Sequence, residues 1–367
     1  MKLRPWLAGL ALLLLLLGCS PDKPIRIGLL TGLSDRVSDT GEAGRNGTIL
    51  AVEQRNQAGG IHGRNIEIVV QDDGQEPAKA VVAVQALVDA RVDAVIGPFT
   101  SAMAEVTVPV ANQARLLMIS PTVTSRDFFG LDDYFIRINR TTSENAREYA
   151  QRLYQRGQRR VAVAYDTRNG NFTLSWLKEF KAAYAALGGQ IGIAVPFASQ
   201  AETGLGDVVR KMLTAQPDGL LLIASAIDAA RLAQQAEKLA PQLPKTAAEW
   251  AASETLLELG GQGVEGLLIA QAYDRDDRSE RFRQFVDAYV ARFAREPGFA
   301  SVLAYDATTV LLQALERQQR GESVKDAVLK YGPFEGLQQS IQFDRNGDTL
   351  HQVYFTEVRG GRFVLVK

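Results

Sequence analysis

Cysteine and histidine are almost absent from this sequence. Its 367 residues include one cysteine, Cys19, and two histidines, His62 and His351. A single cysteine excludes an internal disulfide and a thiol-based metal site, and two distant histidines exclude a histidine-rich metal cluster. We therefore expect neither a metal nor a cofactor, and we interpret both histidines as surface or satisfied structural positions.

An excess of positive charge is also lacking, because the formal net charge is −1. This balance predicts no nucleic-acid partner. The chain contains neither a Gly-x-Ser-x-Gly elbow nor a Walker phosphate loop, so we predict no enzymatic activity. The acidic pairs Asp72-Asp73 and Asp132-Asp133 are interpreted as turn or surface residues rather than as catalytic carboxylates.

Long apolar runs are limited to one segment near the amino terminus. Residues 7–17 are apolar apart from Gly9, and Lys2 and Arg4 precede them. A positive start followed by an apolar run is typical of a secretory signal. At about eleven residues, the run is too short to cross a hydrocarbon core of ~30 Å as a helix.

The apolar run ends at Gly18-Cys19, which resembles a bacterial lipobox; the alternative is an ordinary signal followed by a chance cysteine. We predict a signal peptide over residues 1–18, lipidation of Cys19 and a tether over residues 19–24. Several acyl chains together anchor a protein stably without a membrane span. We therefore expect an extracytoplasmic, lipid-anchored protein, on the periplasmic side of the membrane in a Gram-negative cell.

After residue 24, short apolar runs alternate with stretches of helical periodicity, which predicts an α/β protein. The predicted strands are residues 25–30, 66–70, 93–96, 116–119, 160–165, 190–195, 219–224, 266–271, 340–343, 352–358 and 362–366. The main predicted helices are residues 43–56, 102–113, 175–187, 207–214, 227–239, 279–295 and 301–319. Two such sets indicate two lobes, and the carboxyl ends of their parallel strands form the expected ligand cleft.

Short motifs follow the predicted strands in a consistent order. Together they resemble the Leu/Ile/Val-binding-protein-like family of type I periplasmic binding proteins, over essentially the whole chain after the leader. The motifs that carry the resemblance are Thr31-Gly32-Leu33-Ser34, Gly44-Arg45-Asn46-Gly47, Ala58-Gly59-Gly60-Ile61, Asp72-Asp73, Ile96-Gly97-Pro98, Ile119-Ser120-Pro121, Gly260-Gly261 and Val264-Glu265-Gly266.

The resemblance implies two doubly wound parallel-sheet lobes joined by three crossovers, near residues 139–142, 271–274 and 343–350. On this basis the N-terminal lobe comprises residues 25–140 plus 274–345. The C-terminal lobe comprises residues 141–273 plus 346–367.

The resemblance also implies the function of a solute-binding subunit. Such a protein captures a small polar metabolite, here an amino acid or related carboxylate, and delivers it to the permease subunits of an ABC importer. We expect a monomer. One alternative is a ligand-sensing lipoprotein that acts on a separate membrane receptor, and another is a lipoprotein that regulates cell-wall synthesis.

The first lobe is expected to bind the carboxylate of the ligand. Thr100 and Ser101 stand where a strand gives way to a helix, so free N–H groups there point at an anion. The resemblance implies that Ser101 contacts the carboxylate, that Thr122 offers its carbonyl to an ammonium group and that Thr124 offers its hydroxyl. The alternatives are a plain helix N-cap for Ser101 and local turns for the threonines.

The second lobe is expected to supply the remaining contacts. The resemblance places Asn169 and Phe172 in a ligand-facing segment, and Glu249 where an acidic residue binds the ammonium group. The alternatives are a core position for Phe172 and a surface charge for Glu249. Ser38 is predicted to add a contact at the mouth. Ala224-Ser225-Ala226 replaces an aromatic pair of the branched-chain binders, which argues against a branched-chain aliphatic ligand.

Overall fold

Two β-sheets form the framework of the protein in a computed structural model that describes residues 23–34, 39–199 and 204–366. The strands, in chain order, are β1 (Ile25–Thr31), β2 (Ile66–Asp72), β3 (Ala94–Ile96), β4 (Met118–Ser120), β5 (Phe135–Arg137), β6 (Arg160–Asp166), β7 (Gln190–Phe197), β8 (Gly219–Ile223), β9 (Lys245–Ala247), β10 (Leu268–Gln271), β11 (Phe334–Glu335), β12 (Ser340–Ile341), β13 (Tyr354–Arg359) and β14 (Arg362–Leu365).

Helices alternate with these strands, as the periodicity predicts. They are α1 (Asp39–Gln57), α2 (Pro77–Asp89), α3 (Ser101–Ala114), α4 (Thr142–Gln155), α5 (Gly170–Ala186), α6 (Leu205–Leu213), α7 (Ala226–Leu239), α8 (Glu254–Gly260), α9 (Glu280–Phe293), α10 (Phe299–Arg317) and α11 (Val324–Lys330). Within the described ranges, none of these helices has both the length and the apolar character that crossing a membrane requires.

The first sheet is parallel throughout and has the order β2-β1-β3-β4-β5. Its central strands are buried on both faces, and for this reason β3 reads Ala-Val-Ile with no polar residue. We refer to this sheet and the helices packed on it, including α9, α10 and α11, as the first lobe. The brief strands β4 and β5 are shorter than periodicity alone can define, and β5 was not predicted.

The second sheet has the order β14-β13-β10-β9-β8-β6-β7, and with its helices it forms the second lobe. The strands from β6 to β10 are parallel, but β13 pairs antiparallel with both β10 and β14. The predicted parallel-sheet lobe is confirmed from β6 to β10, and β13 and β14 add an antiparallel edge to it. A two-residue turn, Gly360-Gly361, with φ values of 58° and 71°, joins β13 to β14. Such turns match the twist of an antiparallel hairpin.

The chain passes between the two sheets three times, after β5, after β10 and after β12. The two-lobed α/β fold with three crossovers is thus confirmed, while the residue borders of the lobes stay a prediction. The third connection is fixed to the first lobe by a buried ion pair between Arg137 and Asp348. After β10, Arg275 forms an ion pair with Glu254, and its side chain is largely buried.

Candidate functional site

The carboxyl ends of β3 and β4 bring the predicted first-lobe residues to one edge of the sheet. Ser101 is the first residue of α3, and Thr100 takes the N-cap position. The N-cap alternative for Ser101 is therefore wrong by one residue. Its side chain is only 2% exposed, and its Oγ accepts a hydrogen bond from the Ser125 N–H at 3.4 Å.

The threonine hydroxyls at this edge of the sheet differ in whether they already form a hydrogen bond within the protein. Thr100 Oγ1 donates to Gln75 Oε1 at 2.8 Å, and Thr122 Oγ1 donates to the Phe99 carbonyl at 2.6 Å. Thr124 Oγ1 is buried and has no hydrogen-bond partner among the residues that the structure describes. Because a buried polar atom without a partner costs free energy, Thr124 is the hydroxyl of this edge best prepared for a ligand.

Asn169 brings the second lobe to the start of α3. It directly precedes α5, and its Oδ1 accepts a hydrogen bond from the Ala102 N–H at 3.2 Å. The Ala102 N–H, in the first turn of α3, thus donates into the cleft, where the second lobe supplies its acceptor. A second contact crosses between the lobes where Ser253 Oγ donates to Asp39 Oδ2 at 2.9 Å.

Glu249 is half-buried in the second lobe, so the surface-charge alternative is wrong. Asn145 Nδ2 donates to one of its carboxylate oxygens at 2.7 Å, and Trp176 Nε1 donates to the other at 3.0 Å. Burial raises the pKa of the Glu249 carboxyl, while these hydrogen bonds and the Arg140 charge act to lower it. Both groups that donate to the Glu249 carboxylate are neutral. A cationic group of a ligand would therefore complement its negative charge.

Aromatic side chains separate the two polar ends of the site. Phe172 is buried, and its ring meets the Trp250 ring edge to face, with centroids 5.7 Å apart. Phe172 therefore occupies both a core position and a position in the cleft wall, since it packs in the core of the second lobe and also lines the pocket. Edge-to-face pairs hold rings in fixed positions, which gives the cleft rigid apolar walls.

These groups converge on one pocket between the lobes, with a volume of about 470 Å³ that includes its open mouth. Seven of the eight predicted ligand-binding residues line it, and the eighth, Ser38, lies outside the described residues, as does Cys19. Their binding roles stay predictions. The lining consists of Thr40, Phe99, Thr100, Ser101, Thr122, Thr124, Asn139, Asn169, Phe172, Glu249, Trp250, Ala272 and Phe299.

A second pocket of about 480 Å³, open mouth included, adjoins the first and shares five lining residues with it, namely Thr40, Phe99, Thr100, Asn169 and Trp250. Its remaining walls are more polar and include Gln75, Asp166 and Arg168. Burial raises the pKa of the Asp166 carboxyl, against hydrogen bonds from the backbone N–H groups of Arg168 and Ser199. The cleft therefore offers an extended ligand an apolar centre followed by a polar compartment.

Sequence reasoning missed six residues of the pocket wall, namely Thr40, Phe99, Asn139, Trp250, Ala272 and Phe299. For Phe99 a signal was present in Gly44, because a side chain at Gly44 would overlap the Phe99 ring. The other five reach the cleft from separate segments, and no local pattern links those segments. Gly44, on a face of α1, thus indicates where the ring of Phe99 packs after β3.

We expect Gly44→Ala to lower the free energy of unfolding by ~1–3 kcal/mol, because the buried Phe99 ring must move to admit the methyl group. Urea denaturation measures this change. Gly170→Ala is the matched control, since a Cβ there would lie 3.8 Å from Leu174 Cδ1 and meet no closer atom. Equal stability losses in the two variants would contradict the packing explanation.

Comparison with known proteins identifies the family. The family model for periplasmic binding proteins matches residues 24–362. The chain belongs to this family. It is 22% identical over 331 residues to the leucine-, isoleucine-, valine-, threonine- and alanine-binding protein of Pseudomonas aeruginosa, which covers 88% of this chain and 87% of the relative. The resemblance predicted from the motif order is confirmed.

Solved structures of periplasmic binding proteins share the fold. The branched-chain amino acid binding protein LivJ of Streptococcus pneumoniae, in complex with isoleucine, superposes with a TM-score of 0.86 at 24% identity, covering 94% of this chain and 99% of its own. A solute-binding protein of R. palustris, in complex with benzoate, gives 0.83 at 18% identity, covering 94% and 95%. These two ligands differ, so the fold does not fix the ligand.

Proposed function

We propose that this protein is an extracytoplasmic solute-binding lipoprotein that captures a small α-amino acid or related carboxylate and delivers it to an ABC-type permease. The observation that carries the proposal is that hydrogen-bond donors and a carboxylate face each other across one pocket. Hydroxyls and a helix N-terminus face the pocket from the first lobe, and Glu249 faces it from the second. The Pseudomonas aeruginosa relative and LivJ, both named as binding proteins for amino acids, support the same class of ligand.

The proposed ligand lies with its carboxylate at the start of α3. There the helix N-terminus, Ser101 and the unpartnered Thr124 hydroxyl offer hydrogen-bond donors to an anion. The ammonium group points at Glu249, whose carboxylate is held in place by Asn145 and Trp176. A carboxylate and an ammonium group satisfy both ends at once, which a neutral sugar does not.

Direct hydrogen bonds between the lobes, two of them beside the pocket, support capture by closure. The Ala102 N–H to Asn169 contact and the Ser253 to Asp39 contact each join one lobe to the other. Both contacts lie beside the pocket. A ligand bound in the pocket would therefore stabilise the same closed arrangement of the lobes that these contacts stabilise. Delivery then requires the lobes to part, which breaks only a few polar contacts.

The lipid anchor is the part of the proposal that rests on sequence alone. The apolar run that ends at Cys19 supports export and acylation, and the periplasmic family supports an extracytoplasmic location. Mass spectrometry of the membrane-extracted protein tests it directly. A mature amino terminus at Cys19 carrying acyl chains is the expected result, and an unmodified terminus elsewhere would contradict it.

A thermal-shift screen of the purified protein tests the ligand class. A ligand that binds only the folded state raises the melting temperature by mass action. We expect α-amino acids to raise it, with desamino carboxylates and simple amines giving smaller shifts. A response confined to neutral sugars would overturn the proposal.

We expect Ser101→Ala to weaken binding of the amino acid found in that screen by ~1–3 kcal/mol, because a hydroxyl donor to a charged acceptor is lost. Isothermal titration calorimetry measures the change. Ser323→Ala is the matched control, since Ser323 also stands at the start of a helix, in α11, but does not line the cleft. An unchanged dissociation constant in Ser101→Ala would exclude Ser101 as a contact.

A further inference from the structure

A cavity on the first lobe lies away from the interlobe cleft. It opens between α1, α9, α10 and the β11–β12 hairpin, has a volume of about 640 Å³ including its open mouth, and shares no lining residue with either cleft pocket. Its size falls in the range of small-molecule sites. It is lined by Gln54, Arg281, Gln284, Phe285, Tyr305, Asp306, Thr309, Gln313, Glu335, Gly336 and Leu337.

A buried carboxylate forms part of the cavity wall. Asp306 is only 3% exposed, and its Oδ1 accepts a hydrogen bond from the Leu337 N–H at 2.8 Å. Its Oδ2 accepts no hydrogen bond from any residue that the structure describes. Burial raises the pKa of the Asp306 carboxyl to about 7, against the opposing effects of the Leu337 hydrogen bond and the Arg281 charge. One oxygen of a buried acid is thus left without a donor.

The other two charged side chains at the cavity, Arg281 and Glu335, pair with each other, so Asp306 has no ion-pair partner among the described residues. Arg281 donates to Glu335 Oε2 at 2.9 Å and to the Gly336 carbonyl at 2.8 Å. Within the described part of the chain, no cationic side chain lies within 4.0 Å of the Asp306 carboxylate. When Asp306 is ionised, the cavity therefore lacks one positive charge, and a monocation would supply it.

Two aromatic rings line the same cavity as Asp306 and provide an apolar surface. Phe285 and Tyr305 meet edge to face, with centroids 4.9 Å apart. The Tyr305 hydroxyl donates to Gln54 Oε1 at 2.6 Å, which fixes its ring against α1. Rings beside a carboxylate suit an alkylammonium ion, because the rings contact the alkyl part and attract the positive charge.

We infer that this cavity is a second ligand site, independent of the cleft, that takes a small organic monocation with its ammonium group on Asp306 Oδ2. The alkyl part of the ion packs on Phe285 and Tyr305, and the Arg281–Glu335 pair closes the rim. The site belongs wholly to the first lobe, so its occupation does not depend on the identity of the cleft ligand.

The test is a titration of the full-length chain with ethylammonium chloride at pH ~8, followed through the Leu337 and Gly336 backbone amides by NMR. We expect saturable shifts at these amides. Asp306→Asn keeps the acceptor for Leu337 but removes the charge, and should raise the Kd for ethylammonium about tenfold or more. Asp287→Asn, which removes an exposed carboxylate from α9, should leave the Kd within about twofold.

Two further arms keep the result decisive even if a variant folds poorly. In the unmodified chain, lowering the pH to ~5 protonates Asp306 and should weaken ethylammonium binding about tenfold or more. Ethanol, which matches the size but lacks the charge, should produce no saturable shift. Equal binding by ethanol, equal binding at both pH values, an unchanged Kd in Asp306→Asn, or shifts that never saturate would each overturn the inference.

Discussion

Replacing Glu249 by glutamine should weaken the binding of the cleft amino acid by ~2–4 kcal/mol, or about 30- to 1,000-fold. The physical reason is that the proposed ammonium group of the ligand is desolvated in the cleft and loses its only partner of opposite charge. Glutamine has the shape of glutamate and can still accept from Asn145 or Trp176, so the variant removes charge with little change in packing. Isothermal titration calorimetry measures the loss.

Two comparisons make the Glu249 result specific. Glu258→Gln removes an exposed carboxylate from the nearby helix α8 and should leave the dissociation constant unchanged. A desamino analogue of the ligand should bind Glu249→Gln at least as well as it binds the unmodified protein, because it has no ammonium group to lose. Equal losses for the amino acid and its desamino analogue would show that Glu249 acts on the fold rather than on the ammonium group.

Replacing Asp306 by asparagine should stabilise the protein by ~2–4 kcal/mol at pH ~8. The pKa of this carboxyl is about 7 in the folded protein, against an ordinary value of 3.8. Below pH ~4 both the folded and the unfolded states are protonated, so ionisation costs no stability. Between these two pKa values the unfolded state ionises while the folded state keeps its proton, so stability falls as the pH rises.

The stabilising effect of Asp306→Asn should therefore be small at pH ~4 and complete above pH ~7. Arg281 and Glu335 are the charged groups that face the site, and Tyr305 stays neutral because burial raises its pKa to about 12. Urea denaturation at pH ~4, ~6 and ~8 measures the trend, with Asp287→Asn as the exposed control. A stability difference that does not change with pH would contradict the assignment.

Several features of the fold could be predicted from local pattern. The helix at Thr142 begins with a capping box between Thr141 and Glu144, and the structure contains that box. The apolar runs at β1, β6 and β8 are strands because they are buried on both faces of a sheet. The antiparallel edge at β13 was not predictable in the same way, because strand direction depends on the crossover that precedes the strand.

The candidate site shows the same division. Ser101, Thr122 and Thr124 could be proposed because each follows a parallel strand, and parallel strands end at one edge of the sheet. Asp73 begins a turn, as one of its two interpretations predicts, but it is fully buried rather than at the surface, because tertiary packing covers the loop after β2. Trp250 could not be placed from sequence, since the residues that share the pocket with it come from segments far apart in the chain.

The sequence by itself determined the α/β class, the alternation of strands and helices and the family, because these depend on periodicity, capping residues and motif order along the chain. The tertiary structure alone decided that seven scattered side chains share one pocket, that Glu249 is held by Asn145 and Trp176, and that Asp306 is buried in a second cavity. Burial and charge compensation depend on residues far apart in sequence, and only the folded chain brings those residues together.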